Sequence, residues 1–193
     1  ILSEGITARY DKKFFKSKKV LKEIKERNIN CMKANAVLGI KDIVFLNNLC
    51  CRLDQVPIID ITKKIEKVIT SFKPSIIFTH NSNDVNIDHK ICHNACITAC
   101  RPVNKTFIEK IYTFEVLSST EWNTNTNFKP QTFVDISNVI DLKIKSLLQY
   151  ENEILKNPNS RSIEKIKSLA SYRGAFIGVK DAEAFQLIRS SDL

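Results

Sequence analysis

The chain has 193 residues, 43% of them hydrophobic, with 30 Lys and Arg against 21 Asp and Glu and a net charge of +9. That length supports a single domain over residues 1–193 with a substantial core. The sequence holds no stretch with the makeup of a secretory signal and no apolar run of about 18 residues, so it predicts no helical membrane span.

The chain opens on Ile1, not Met, within a strand-like segment that ends in a turn at Gly5, and it therefore reads as a fragment or a processed product. Ser17 is placed to cap a helix running to about Leu38, with Gly39 as the residue that closes it. Lys41 to Leu46 reads as a short strand. Asp60 looks like an N-cap, and Ile61, Ile65, Val68, Ile69 and Phe72 follow at helical spacing until Lys73-Pro74 stops the helix. Ser75 to Thr79 is almost continuously apolar, as expected of a strand covered on both faces.

After a polar loop, Cys92, Ala95, Cys96 and Ala99 mark one side of a helix that ends near Arg101-Pro102. Ile108 to Val116 alternates as a strand does, and Phe133 to Ile136 is another short one. Ser137 is placed to cap a long helix with Ile140, Ile144, Leu147 and Leu148 on its apolar face. A last clear helix starts at Ser162 and closes at Gly174, and Ala182 to Leu193 forms a further short element. Strand and helix alternate every 30 residues or so through the first half, which predicts βαβ units and a mostly parallel sheet.

Six cysteines lie at 31, 50, 51, 92, 96 and 100. Cys92, Cys96 and Cys100, four apart, belong to one helix face, as reduced and buried cysteines do, and adjacent Cys50-Cys51 is not a zinc spacing. A reducing, cytoplasmic setting is expected. The densest basic run, Lys12 to Lys19, has no zinc-finger, KH or RNP pattern beside it, so no nucleic acid is expected as a partner. A basic nucleic-acid-binding domain is the weakest alternative.

The stretch with most chemistry is Thr79 to His89, which holds two of the three histidines, two aspartates and three asparagines. A polar loop between a buried strand and a helix start is where open α/β sheets bind ligands. His89 is a candidate metal ligand, and Asp84 and Asp88 are carboxylates able to bind a metal, orient an imidazole or move a proton. His80, at the end of the strand, is either catalytic or a satisfied polar residue. Asp88 is either a helix cap or His89's orienting partner. His93 follows His89 by four residues without the glutamate of a zinc-protease helix, and reads as a plain helix residue.

Asp84-x-Asn86-x-Asp88-His89 after Pro74-Ser75-Ile76-Ile77-Phe78-Thr79-His80 resembles the LmbE-like (PIG-L) family of zinc-dependent N-deacetylases. The likeness continues through Ala99 to Pro102, Tyr112 to Trp122, Phe133 to Ser137, Arg161-Ser162, Arg173-Gly174 and Ala182 to Phe185. The resemblance implies a Rossmann-like three-layer α/β/α sandwich. It also implies a hydrolase that removes the acetyl group of an N-acetylated amino sugar, nucleotide- or lipid-linked, for cell-envelope glycan synthesis in a bacterial cytoplasm. Its cofactor would be Zn2+ or another divalent metal, and a homo-oligomer is compatible with it. A non-catalytic carbohydrate-binding or partner domain of the same fold is the alternative.

By the same resemblance His89 is the family's third metal ligand. Two ligands and the base of the family come from an N-terminal His-Pro-Asp-Asp motif that this sequence lacks. Ile1 to Tyr10 resembles the family's second strand and following loop, so the chain is expected to be N-terminally truncated, inactive by itself and a weak zinc binder. Its sheet is expected to carry an uncovered edge. Asn86 stands where many relatives carry a histidine thought to stabilise the oxyanion, so Asn86, His80 and Asp84 share the candidacy for that role. Arg9, Arg101 and Arg161 are candidates for binding a phosphate or nucleotide-sugar tail, and Trp122 for stacking on a sugar.

Overall fold

Among the described residues, the pattern of helix caps and β-branched runs is realised as five α-helices and four strands. The computed structural model describes residues 1–102, 107–124, 128–150 and 152–191. The chain falls into two compact units, one of Ile1–Arg52 with Val134–Glu183, the other of Leu53–Phe133 with Ala184–Leu193.

In the first unit α1 spans Lys18–Val37, begins on Ser17 (whose hydroxyl accepts from the Val20 N–H at 3.3 Å) and ends at Gly39 with φ +71°. The expected strand at Lys41 to Leu46 is extended chain that hydrogen-bonds with the first residues, Leu46 N–H to Ile1 O at 2.9 Å and Glu4 N–H to Asn48 O at 3.0 Å. It yields only an isolated parallel bridge, Ser3 to Asn48, because Asn47 turns into the left-handed region (φ 51°) and breaks the pleat. α4, Ile140–Leu147, is shorter than expected and its N-cap is Val139, not Ser137. The Ser137 hydroxyl instead donates to Asp135 Oδ1 at 2.6 Å and accepts from Asp181 N–H at 3.1 Å. Ile136, Ile140 and Ala170 pack as a small core, and Ser146 Oγ donates to the Ala34 carbonyl of α1 at 2.9 Å.

α5, Ile163–Ala175, starts on Ser162 as expected, with the Ser162 hydroxyl accepting from Lys165 N–H at 3.3 Å. Ser162 is fully buried. Ser162→Ala is expected to destabilise this unit by about 1 kcal/mol, read as a lower denaturation midpoint. Gly174 lies inside the last turn of α5, not beyond it.

In the second unit α2, Ile58–Phe72, has Pro57 at its N-cap position, so Asp60 is a first-turn acid that complements the helix dipole and not the cap. Lys73, in the left-handed conformation, ends it. Strand β1, Ile76–His80, leads into α3, Ile87–Ala99, and then into β2, Lys110–Phe114. Ile69 of α2, Cys96, Ala99 and Cys100 of and after α3, and Ile108 and Ile111 beside and within β2 form the core, with Ile65 and Ile77 against it. The cysteine face is therefore core, and Cys31, Cys92, Cys96 and Cys100 form no disulfide.

β1 and β2 run parallel in the register Ile76 to Lys110 through His80 to Phe114. β3, Thr132–Asp135, and β4, Ala182–Ser190, complete a sheet of order β1-β2-β4-β3, with β4 antiparallel to β2. The sheet is thus mixed: parallel where βαβ alternation predicts it, antiparallel where the C-terminal strand returns. β1 is not covered on both faces as its apolar run predicts. Thr79 is buried and Ile77 packs on the core, whereas Ile76 and Phe78 are 44% and 52% exposed. No helix among the described residues is long and apolar enough to cross a membrane.

Candidate active site

Parallel pairing of β1 with β2 brings the loops that leave their carboxyl ends together. The loop after β1 is shaped by its own side chains: Asn81 Oδ1 accepts from Asn83 N–H at 2.9 Å, Asp84 Oδ1 from Asn86 N–H at 2.8 Å, and Asn86 Oδ1 from Asp88 N–H at 2.9 Å. These are successive Asx-type turns, and the last makes Asn86 the N-cap of α3. Asn81 is buried and donates across the sheet to Thr113 Oγ1 at 3.1 Å and Gln186 Oε1 at 2.9 Å. The two loops are tied by Val85 N–H to Ser119 O at 3.4 Å and by Asn123 Nδ2 to Asn83 O at 2.5 Å.

Asp84 is the centre of this arrangement and is wholly buried. His89 Nδ1 lies 2.9 Å from its Oδ2, and Thr120 Oγ1 donates to the same oxygen at 3.0 Å. The Ser119 hydroxyl donates to Oδ1 and lies 3.5 Å from His89 Nδ1. Burial alone would raise the Asp84 carboxyl. Hydrogen bonds from His89, Ser119 and the Asn86 backbone outweigh it and bring the pKa down to about 2, so Asp84 is a carboxylate at neutral pH.

The His80 ring stacks on His89, with centroids 4.1 Å apart and planes 21° from parallel, and tilts against Phe114 at 5.0 Å. Burial, then the neighbouring His89, lowers His80 to about 4, so it is neutral at pH 7. Its Nδ1 is buried without a hydrogen-bond partner among the described residues. His93 Nδ1–H donates to the His80 carbonyl at 2.9 Å, a structural use in keeping with the plain-helix reading.

The family model described as GlcNAc-PI de-N-acetylase (PIG-L) matches residues 3–100, just over half of the chain, and that stretch holds Asp84, His80, His89 and the loop between them. The chain belongs to the PIG-L family. No curated protein sequence matches it. Solved structures do. A conserved protein of Thermus thermophilus is 21% identical with a TM-score of 0.71, over 88% of this chain and 76% of that one. The N,N'-diacetylchitobiose deacetylase of Pyrococcus horikoshii is 19% identical with a TM-score of 0.72, over 96% and 70%. The 4-carboxy-2-hydroxymuconate hydratase GalB of Pseudomonas putida is 18% identical with a TM-score of 0.69, over 98% and 83%. At such identities the likeness shows the fold, a Rossmann-like α/β fold as the sequence implied. That the same fold serves a deacetylase and a hydratase means the chemistry of this PIG-L chain must be argued from its own side chains.

Of the residues predicted for the site, the fold gathers His80, Asp84 and His89. It corrects the role given to Asp88: the carboxylate beside His89 is Asp84, while Asp88 Oδ1 accepts from Leu53 N–H at 3.0 Å, because a first-turn acid on α3 turns toward the backbone preceding α2. The cap of α3 is Asn86, whose carbonyl oxygen is thereby committed. Trp122, 69% exposed, ends the short 3-10 turn Thr120–Trp122. Arg101 is exposed and its Nε donates to Thr98 O at 3.2 Å, the helix-terminal use of an arginine. Ser119 and Thr120 are the partners that sequence reasoning missed.

Arg9 and Arg161 belong to the first unit, where both pair with Glu153. Arg161 Nη1 lies 3.0 Å from Oε2, Arg27 Nη1 lies 2.5 Å from Oε1, and Arg9 Nη2 bonds Oε1 as well. Burial would raise the Glu153 carboxyl, but the Arg27 and Arg9 guanidiniums outweigh it and hold its pKa below the ordinary 4.5. The folded state therefore takes up this proton less readily than the unfolded one. The stabilisation is complete above pH 4.5 and drains as pH falls through the lowered folded-state value. Glu153→Gln is expected to flatten the acid side of the stability–pH curve, measured as urea midpoints between about pH 3 and 7. An acid side as steep as that of the parent would contradict this.

Proposed function

We propose that this protein is a metal-dependent hydrolase that releases acetate from an N-acetylated amino sugar or sugar conjugate, the sugar being carried on a nucleotide or a lipid. The observation that supports this most is the Asp84-held His89 stacked on a neutral, buried His80 at the carboxyl end of β1, in a PIG-L chain.

His89 fits a metal ligand. Its Nδ1 is taken by a carboxylate, which leaves Nε2 as the donor, the arrangement of most metal-bound histidines. A divalent cation, zinc in the first instance, would supply at that position an activated water at neutral pH and polarisation of the amide carbonyl. Asp84 fixes the tautomer and direction of His89, and Ser119 and Thr120 fix Asp84. His80, neutral at pH 7, has an N–H to offer to the oxygen on which negative charge develops, a role open to a neutral imidazole. Trp122 offers an exposed aromatic face to the sugar ring. The balanced reaction is amide plus water to free amine plus acetate.

The test is acetate release by the product of the complete reading frame, with N-acetylglucosamine carried on a nucleotide, a lipid or a thiol glycoside. Acetate and free amine are expected in equal amounts, lost on chelation and restored by zinc. Zinc-loaded protein that releases no acetate from any of the three would sink the reading.

A further inference from the structure

We infer that Arg9, Arg27 and Arg161, gathered on Glu153, form a binding site for a phosphate dianion. Three guanidiniums meet one carboxylate here. One would neutralise Glu153, and holding two more beside it works against their mutual repulsion. The cluster is also poor in acceptors. A guanidinium carries five N–H donors, and among the described residues Glu153 is the one acceptor that all three share and Arg161 Nε is buried with no partner.

The site is built rather than incidental. Gly5, with φ +77°, lies so close to Arg27 that an added Cβ would come within 2.3 Å of its Nε, so glycine here makes room for the guanidinium. On another side Arg27 lies over the Tyr150 ring, 5.5 Å from its centroid. Arg27 is thus held by packing as well as by charge, while Arg9 and Arg161, with side chains 45% and 43% exposed, remain open to solvent. Planar forks with unspent donors suit bidentate contact with phosphate oxygens. Among the described residues, three positive charges against one negative leave the charge that a phosphate monoester, at about −2, would balance. The source is either free phosphate or the phosphoryl group of a larger molecule. The inference does not rest on the hydrolase reading, because binding is measured without turnover.

The experiment is calorimetric titration of the full chain at low salt with inorganic phosphate and, separately, with N-acetylglucosamine 1-phosphate. Saturable one-to-one binding of phosphate is expected, about tenfold or more weaker in Arg9→Ala and in Arg161→Ala and unchanged in Arg189→Ala, an exposed residue of β4. Arg9→Lys keeps the charge but not the fork, alters an exposed side chain, and is expected to bind more weakly than the parent; it carries the test if an alanine variant does not fold. Tighter binding of the sugar phosphate identifies a phosphorylated conjugate as the ligand, and equal binding identifies the free anion. Absence of saturable binding, or binding that Arg9→Ala, Arg9→Lys and Arg161→Ala leave intact, overturns the inference.

Discussion

Asp84→Asn is expected to lower kcat/KM for acetate release about 10- to 100-fold, the usual cost of removing the partner that orients a metal-bound histidine. The substitution preserves volume but reverses chemistry at a point where four donors converge: the Ser119 and Thr120 hydroxyls, the Asn86 N–H and the His89 ring nitrogen. An amide has one acceptor oxygen where the carboxylate has two, and its NH2 would face donors. His89 is then free to change tautomer or swing away. Leaving a buried donor unpaired costs about 1–3 kcal/mol, so the variant is also expected to melt earlier. Ser119→Ala separates the two effects: it removes one donor from Asp84 but leaves the contact to His89, and should retain most activity. Full activity in a folded Asp84→Asn protein would remove Asp84 from the mechanism.

The parts of the site legible in the sequence were those that local chain geometry determines. The loop from Thr79 to His89 was readable because a strand, a run of Asx turns and a helix start follow one another within a dozen residues. Ser119 and Thr120 were not, although they stand in plain view after β2. Their role depends on β1 and β2 being parallel neighbours in one register, which places position 84 against positions 35 and 36 residues further on. That the carboxylate on the His89 ring is Asp84 and not its sequence neighbour Asp88 is hidden for a related reason. Adjacency to His89 favoured Asp88, but a residue on the first turn of α3 points elsewhere than the loop that folds back over the helix start. The fold shows the same division. Ser17 and Ser162 announced their helices through caps, while the apolar run of β1 gave no sign that Ile76 and Phe78 would be exposed. Residue type makes Arg9 and Arg161 candidates only one by one. That they share one carboxylate with Arg27 is a tertiary fact.

Gly174→Ala is expected to destabilise the first unit by about 1–3 kcal/mol, the cost of forcing atoms into a packed site. The sign is the opposite of what the helix alone dictates. Within an α-helix, alanine is favoured over glycine by about 1 kcal/mol, and Gly174 lies in the last turn of α5 with no left-handed backbone to excuse it. What decides is the chain that follows. A Cβ at this position would stand 2.5 Å from the Val179 carbonyl oxygen, 2.9 Å from that of Lys180 and 3.0 Å from the Asp181 nitrogen. All three are backbone atoms, so no side chain can rotate away. The return of residues 179–181 into β4 would have to move, and with it the Asp181 contacts to Ser137 and Ile136. Urea denaturation of the parent and the variant measures the balance, with Gly178→Ala as a contrast. Gly178 has open space around its would-be Cβ but a φ of +73°, so that variant bears backbone strain without overpacking. A Gly174→Ala protein as stable as the parent would mean that the approach of residues 179–181 to α5 is looser than the geometry implies.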